Sequence, residues 1–282
     1  LSVFISGSGL AQVVQYDKPD RERFLLQGAK KEGEVMIYTS LVPEDLTALA
    51  AAFERKYGVK LSSWRANSEK VLQRAVTEAR AGRFAVDIVT TSPSEIWQFK
   101  ESKLSTAYFS PELPAMPKGS YDPEGHWSGF EVTPIVFAFQ TKLLKTPDIP
   151  NNYQDLLNPK YKGKMNLGTE DYDWFSVILD AMGQDKGLAY MRALAKQDLH
   201  FPGPSSRMRV QLMLAGESAI ALAARGRRVT DFKEQGAPID FRIFDPYAGE
   251  PSSLAVAART PHPYAAILFA DWILSQEGQT RL

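Results

Sequence analysis

The chain has 282 residues, 33 basic and 33 acidic side chains and therefore no formal net charge, and 44% of it is hydrophobic. That length suits one large or two medium domains, and the charge balance lacks the basic footprint with which nucleic-acid binders neutralise phosphates. With no cysteine, disulfides, thiolate zinc sites, iron–sulfur clusters and a cysteine nucleophile are excluded.

No apolar run reaches the roughly 18 residues of a helical membrane span. Leu1 to Val14 is small and apolar. It reads either as the tail of a signal peptide, with Gly9-Leu10-Ala11 near a cleavage site, or as a short strand or arm. Asp20 to Ala29 predicts a short helix that Gly33 ends. Val35 to Tyr38 predicts a buried strand, and Pro43 opens a helix with Leu46, Leu49, Ala50 and Phe53 at helical spacing and Gly58 as its cap. The order repeats: strand at Val59–Trp64, helix capped by Ser68 and closed by Gly82, strand at Val86–Val89, helix after Thr90-Thr91-Ser92-Pro93. Such a β-α-β-α-β series predicts a parallel sheet covered by helices.

Ser110 to Gly129 is rich in proline and glycine and reads as loop, before the strongly apolar strand Ile135–Phe139. A second α/β set follows. Strands are predicted at Lys164–Leu167, His200-Phe201, Ala219–Leu222 and Ile239–Phe244, with helices at Asp173–Met182, Lys186–Lys196, Ser205–Leu214 and Val229–Gln235. Leu254–Ala257 is one more strand, and Pro261-His262-Pro263 starts a last helix. The predicted fold class is α/β with two lobes, each a mostly parallel sheet flanked by helices, joined by crossing hinge strands. Lobe 1 is residues 1–134 plus 246–282, and lobe 2 is 135–245. The segments 135–139 and 239–244 are the expected crossings.

Several blocks of the sequence carry a family resemblance. Ala29-Lys-Lys-Glu-Gly-Glu-Val-Met-Ile-Tyr-Thr-Ser and Ala52-Phe-Glu-Arg-Lys-Tyr-Gly-Val-Lys resemble the opening of bacterial extracellular solute-binding proteins of the ferric-iron-binding type. Asp148-Ile-Pro-Asn-Asn-Tyr-Gln-Asp-Leu-Leu with Pro159-Lys-Tyr-Lys-Gly-Lys-Met resembles their entry to the second lobe. Ala215-Gly-Glu-Ser-Ala-Ile resembles their Gly-Glu strand, and Ala258 to Gly278 their C-terminal helix, beyond which the family ordinarily continues. The blocks span about 30–280 in the family's order. The resemblance implies a periplasmic component of an ABC importer that closes on a small solute between its lobes and docks to an inner-membrane permease. It also implies a monomer without cofactor and without chemistry of its own. Iron-binding members carry adjacent tyrosines shortly after the Gly-Glu strand. Here the stretch is Ala223-Ala-Arg-Gly-Arg-Arg, with Gly226 and Arg227 at the equivalent positions, so the resemblance argues against free ferric iron.

Ligands of open parallel sheets sit beyond the strands' C-terminal ends, where helix N-termini present free N–H groups. The hydroxyl-bearing loops there are Thr39-Ser40, Thr91-Ser92, Thr169 after Gly168, and Ser205-Ser206, although Ser and Thr are also ordinary helix caps. Arg65, Arg225 and Arg227 are candidate carboxylate or phosphate forks, with surface ion pairing as the competing role. Arg207 and Arg209 begin a helix, where cations are disfavoured, which hints at a nearby anion. Tyr172, Trp174 and Tyr247 are candidate stacking groups, or core. The expected solute is anionic or carboxylate-bearing.

Rival readings are a ferric-iron or metal-complex binder of the same family, a transferase or hydrolase on a similar frame, and the effector domain of a transcription regulator. His126, His200 and His262 show no metal-ligand spacing, and a capping or surface role suits His262. Glu170, Asp171 and Asp173 fit either a divalent cation or an acidic first helical turn. No Gly-x-Ser-x-Gly elbow or P-loop occurs, and the N-terminal thirty residues are too short for a DNA-binding helix-turn-helix. Neither a metal site nor a nucleic-acid partner is expected.

Overall fold

The computed structural model describes residues 7–203 and 205–280. Contacts divide the chain into two compact units, the first comprising residues up to Glu131 and from Pro251 onward, the second Val132–Glu250.

In chain order, unit 1 runs through α1 (Gly7–Val14), α2 (Arg21–Glu32), β1 (Glu34–Thr39), α3 (Pro43–Tyr57), β2 (Lys60–Arg65), α4 (Ser68–Arg80), β3 (Ile88–Thr91) and α5 (Pro93–Glu101). β4 (Ser128–Gln140) carries the chain into unit 2, which adds β5 (Met165–Asn166), α6 (Tyr172–Met182), α7 (Gln184–Ala195), α8 (Ser206–Leu214), β6 (Ile220–Arg225), α9 (Gly226–Glu234) and β7 (Ile239–Arg242). β8 (Gly249–Val256) brings it back, and α10 (Pro263–Leu274) and α11 (Gln276–Gln279) complete unit 1.

Local chemistry explains several helix ends. Gly33 and Gly58 close α2 and α3 in the left-handed region, with φ of 83° and 65°, where a side chain would be strained. Three sequence expectations need correction. The strand or arm foreseen in residues 1–14 is helical over Gly7–Val14, and Val13 is buried in the unit 1 core; residues 1–6 lie outside the described residues. The cap of α4 is Asn67, whose Oδ1 accepts from the Lys70 N–H at 3.0 Å, so Ser68 is the first helical residue. The segment near 239–244 is not the return crossing. β7 lies wholly in unit 2, paired antiparallel with β4 (Phe137↔Arg242), because its alternating apolar pattern buries one face as an edge strand; the crossing is β8.

In unit 1 the sheet order is β2-β1-β3-β8. β1 is parallel to both neighbours, with Thr39 opposite Arg65 and opposite Thr90, whereas β8 runs antiparallel to β3 (Ile88↔Val256). In unit 2, β5 and β6 are parallel, but β4 is antiparallel to both β6 and β7, so that sheet is more mixed than expected. Helices cover both faces of each sheet. Val35 and Ile37 face a core with α3 and α10 while Tyr38 and Val89 face another with α4 and α5. Ile135, Phe137 and Phe139 likewise pack with α6 and α7, and Val136 and Ala138 with α8 and α9. Burial on both faces is why these strands read as continuous apolar runs rather than alternations.

Candidate functional site

Because β1, β2 and β3 are parallel, their C-terminal residues Thr39, Arg65 and Thr91 lie at one end of the unit 1 sheet, and α3, α4 and α5 each begin there. Thr39 is buried and committed internally. Its Oγ1 accepts from the Thr90 hydroxyl at 2.7 Å and from the Leu41 N–H at 3.0 Å. Ser40 is half-buried, and its N–H donates to the Thr90 carbonyl. Arg65 is exposed, and its Nε donates to the Leu41 carbonyl at 2.6 Å, holding the β1–α3 loop. Ser92 stands at the cap position of α5, yet its hydroxyl donates to Glu95 instead of capping. Thr91 differs from these: it is 1% exposed and its Oγ1 has no hydrogen-bond partner among the described residues.

Unit 2 presents a more strongly polarised end. Ser205 caps α8 by accepting from the Met208 N–H, and Ser206 Oγ accepts from the Arg225 N–H at 3.0 Å, tying the start of α8 to the end of β6. Arg225 ends β6 and pairs with Glu250 through Nη2 and Oε1. Burial pushes the Glu250 carboxyl above its usual range, Arg225 opposes that, and the nearby Asp173 and Asp171 carboxylates add to it. α9 starts at once, so Arg227 and Arg228 occupy its first turn. Their guanidinium groups donate to Asp231 at 3.1 and 3.2 Å. Gly226 has no room for a side chain: a Cβ there would stand 2.9 Å from the Pro134 carbonyl. Among the described helices of unit 2, α9 alone has neither a side-chain cap nor an acid in its first turn. Neither a cap side chain nor a first-turn acid therefore offsets the positive end of its dipole.

Arg209 holds this arrangement and answers the hint of an anion near α8. That anion is Asp171, at 2.6 Å from Nη1 and 3.3 Å from Nη2, with side chains only 1% and 6% exposed. Where β4 and β6 shift register, Leu222 and Ala223 together oppose Phe137, and Ala223 takes φ 48°. The bulge turns two carbonyls out of the ladder, and Arg209 donates to both, at 3.1 Å to Leu222 and 3.3 Å to Ala223. Asp171 also accepts from the Gly168 N–H at 2.9 Å, so it is a structural partner rather than a cation ligand.

The remaining candidates are dispersed. Thr169 is exposed in the turn before α6, Tyr172 and Tyr247 are 67% and 59% exposed, and Trp174 is core, packed edge-on to Phe137. His262, expected to cap or face solvent, bonds through Nδ1 to the fully buried Asp87 at 2.9 Å. Glu250, Asn67 and the Asp171–Arg209 pair went unforeseen. Of these only Arg209 left a trace in the sequence, a cation in the wrong turn of a helix.

The sequence profile of the bacterial extracellular solute-binding proteins matches residues 85–282, and the chain belongs to that family. A search of the curated proteins finds no match. Solved structures share the fold. Iron-bound HitA from Pseudomonas aeruginosa superposes with a TM-score of 0.70 at 19% identity, covering 88% of this chain and 83% of that one. The Trichodesmium protein IdiA (FutA), in complex with iron and citrate, gives 0.72 at 19% identity with the same coverages. AfuA from Actinobacillus pleuropneumoniae, with fructose-6-phosphate bound, gives 0.66 at 24% identity, covering 88% and 81%.

Proposed function

We propose that this chain is the periplasmic, monomeric substrate-binding component of an ABC importer and that its solute carries a carboxylate or phosphate. The observation that carries the ligand class is the start of α9: amides without a cap, no acid in the first turn, and Arg225 and Arg227 beside them. Helix N-termini bind anions through these N–H groups, and arginine adds a fork matched to planar oxyanions. The hydroxyls of Ser205 and Ser206 stand at the start of α8, which is tied to Arg225. Within unit 1, taken by itself, the candidate polar groups at the corresponding sheet end are Ser40, Arg65 and Ser92.

Glu250 sets a condition on that solute. It already neutralises Arg225, so the incoming anion must displace it or bring a donor group for it. The structures with iron and with fructose-6-phosphate illustrate two ligand classes on this fold. Arg227, standing at the start of α9, favours the anion over the bare cation.

Native mass spectrometry of gently purified protein against its denatured mass tests the reading, followed by calorimetric titration of carboxylates and phosphate esters. A discrete organic adduct and an affinity at least tenfold weaker in Arg225→Ala and Arg227→Ala are expected. An adduct of iron alone, or affinities unchanged in both variants, would remove the anion reading.

A further inference from the structure

The other end of the unit 1 sheet carries a second feature, independent of the solute reading. Val86 lies two residues before β3 and Ala257 immediately follows β8, so both lie opposite the end that bears Thr91. Between them and the last turns of α4 and α5 opens a shallow cup of about 40 Å³. Val86, Phe99, Leu104 and Ala257 form an apolar floor, continuous with the core under α4 and α5.

Three cations, Arg83, Lys103 and Arg259, stand at its rim, all exposed. The Arg259 guanidinium lies 4.1 Å from the ring centroid of Phe84, which fixes it over the cup's edge. None of the three forms an ion pair among the described residues, whereas the neighbouring Arg74 and Lys100 are both paired. The one acid in the lining, Glu78, is occupied by the Tyr38 hydroxyl at 2.7 Å and by Arg74 at 2.8 Å. Three exposed cations without ion-pair partners give the rim a positive potential that attracts an anion. A simple inorganic anion would leave the floor wet, and a neutral apolar molecule would leave the cations unanswered.

We propose that this cup binds an amphiphilic carboxylate, with the carboxylate among Arg83, Lys103 and Arg259 and an aliphatic or aromatic body on the Val86–Phe99–Leu104 floor. Burying the body removes apolar surface from water, and an arginine fork orients the head.

The test is calorimetric titration of the full chain with octanoate, octanol and acetate. Octanoate should bind saturably and at least tenfold more tightly than either comparison compound, because only it satisfies both rim and floor. The double variant Lys103→Ala/Arg259→Ala, confined to exposed side chains, should weaken octanoate at least fivefold, and Ala79→Trp, which fills the cup, should abolish binding while circular dichroism stays unchanged. Octanol binding as tightly as octanoate, or octanoate unaffected by the double variant, overturns the proposal. So does loss of octanoate binding in Arg225→Ala with the cup variants unchanged, which would place the compound in unit 2.

Discussion

Replacing Asp171 with asparagine tests whether the Arg209 pair holds the polar end of unit 2 together. The two side chains are 1% and 6% exposed, so the variant leaves a buried guanidinium with neutral acceptors only, the amide oxygen that replaces the carboxylate and the Leu222 and Ala223 carbonyls. Removing one partner of a buried pair costs roughly 3–5 kcal/mol, because the remaining charge keeps its desolvation penalty and loses its compensation. For a protein of this size that corresponds to a fall of roughly 6–20 °C in the unfolding midpoint. Burial already draws the Arg209 guanidinium below the usual arginine range against the pull of Asp171, the direction expected where desolvation is severe. Urea denaturation followed by tryptophan fluorescence reads the effect, since Trp174 lies in the same core. Arg209→Met should also destabilise, because the bulge carbonyls lose their donor. The double variant should be less destabilised than the sum of the singles by about 2 kcal/mol, as expected of directly coupled residues. A cost below about 1 kcal/mol for Asp171→Asn, or strict additivity, would refute the role assigned to the pair.

Three further outcomes follow from other groups. The bond to Asp87 raises the His262 imidazole above its usual range against the effect of burial, so the folded chain binds that proton more tightly than the unfolded one. Its contribution is full below about pH 6.5 and is lost as pH rises through the folded value. Burial likewise pushes Glu32, which accepts from the first amides of α10, up to about 7, and its contribution is lost as pH climbs towards that value. The urea midpoint of unit 1 should therefore fall between pH 6 and 8.5 and flatten in His262→Asn; a midpoint rising over that range contradicts both assignments. Gly226→Ala should cost about 1–3 kcal/mol by overpacking against Pro134 and, by shifting the start of α9, weaken solute binding; thermal melts and titrations at wild-type affinity and stability would remove the close approach as a constraint. Thr91→Val removes a buried hydroxyl that has no hydrogen-bond partner among the described residues, so stability should rise by up to about 1–3 kcal/mol in thermal melts; a fall in stability would show that the hydroxyl is satisfied in the folded chain.

Much of the fold is legible in short windows. Val35–Tyr38 and Ile135–Phe139 declare strands buried on both faces, Gly33 and Gly58 declare helix ends, and the α/β alternation declares helix-covered sheets, because each depends on backbone geometry or on the period of burial. The hydroxyl loops were legible too, since parallel strands followed by helices place them at a sheet end. What those hydroxyls do was not. Thr39 bonds to Thr90 and Ser92 to Glu95, whereas the Thr91 hydroxyl has no partner among the described residues, and nothing in their composition distinguishes the three.

The sequence by itself determined the alternation of elements, their approximate ends and the family's order of blocks. Only the tertiary structure decided which arginine is spent and on what. Arg209 belongs to Asp171 and Arg225 to Glu250. It also decided that β8, not the segment near 239–244, returns the chain to unit 1. The reason is range: helix caps and burial periods act over a few residues, whereas a charge is compensated by whatever the fold brings within about 4 Å, however far away in the chain that group lies.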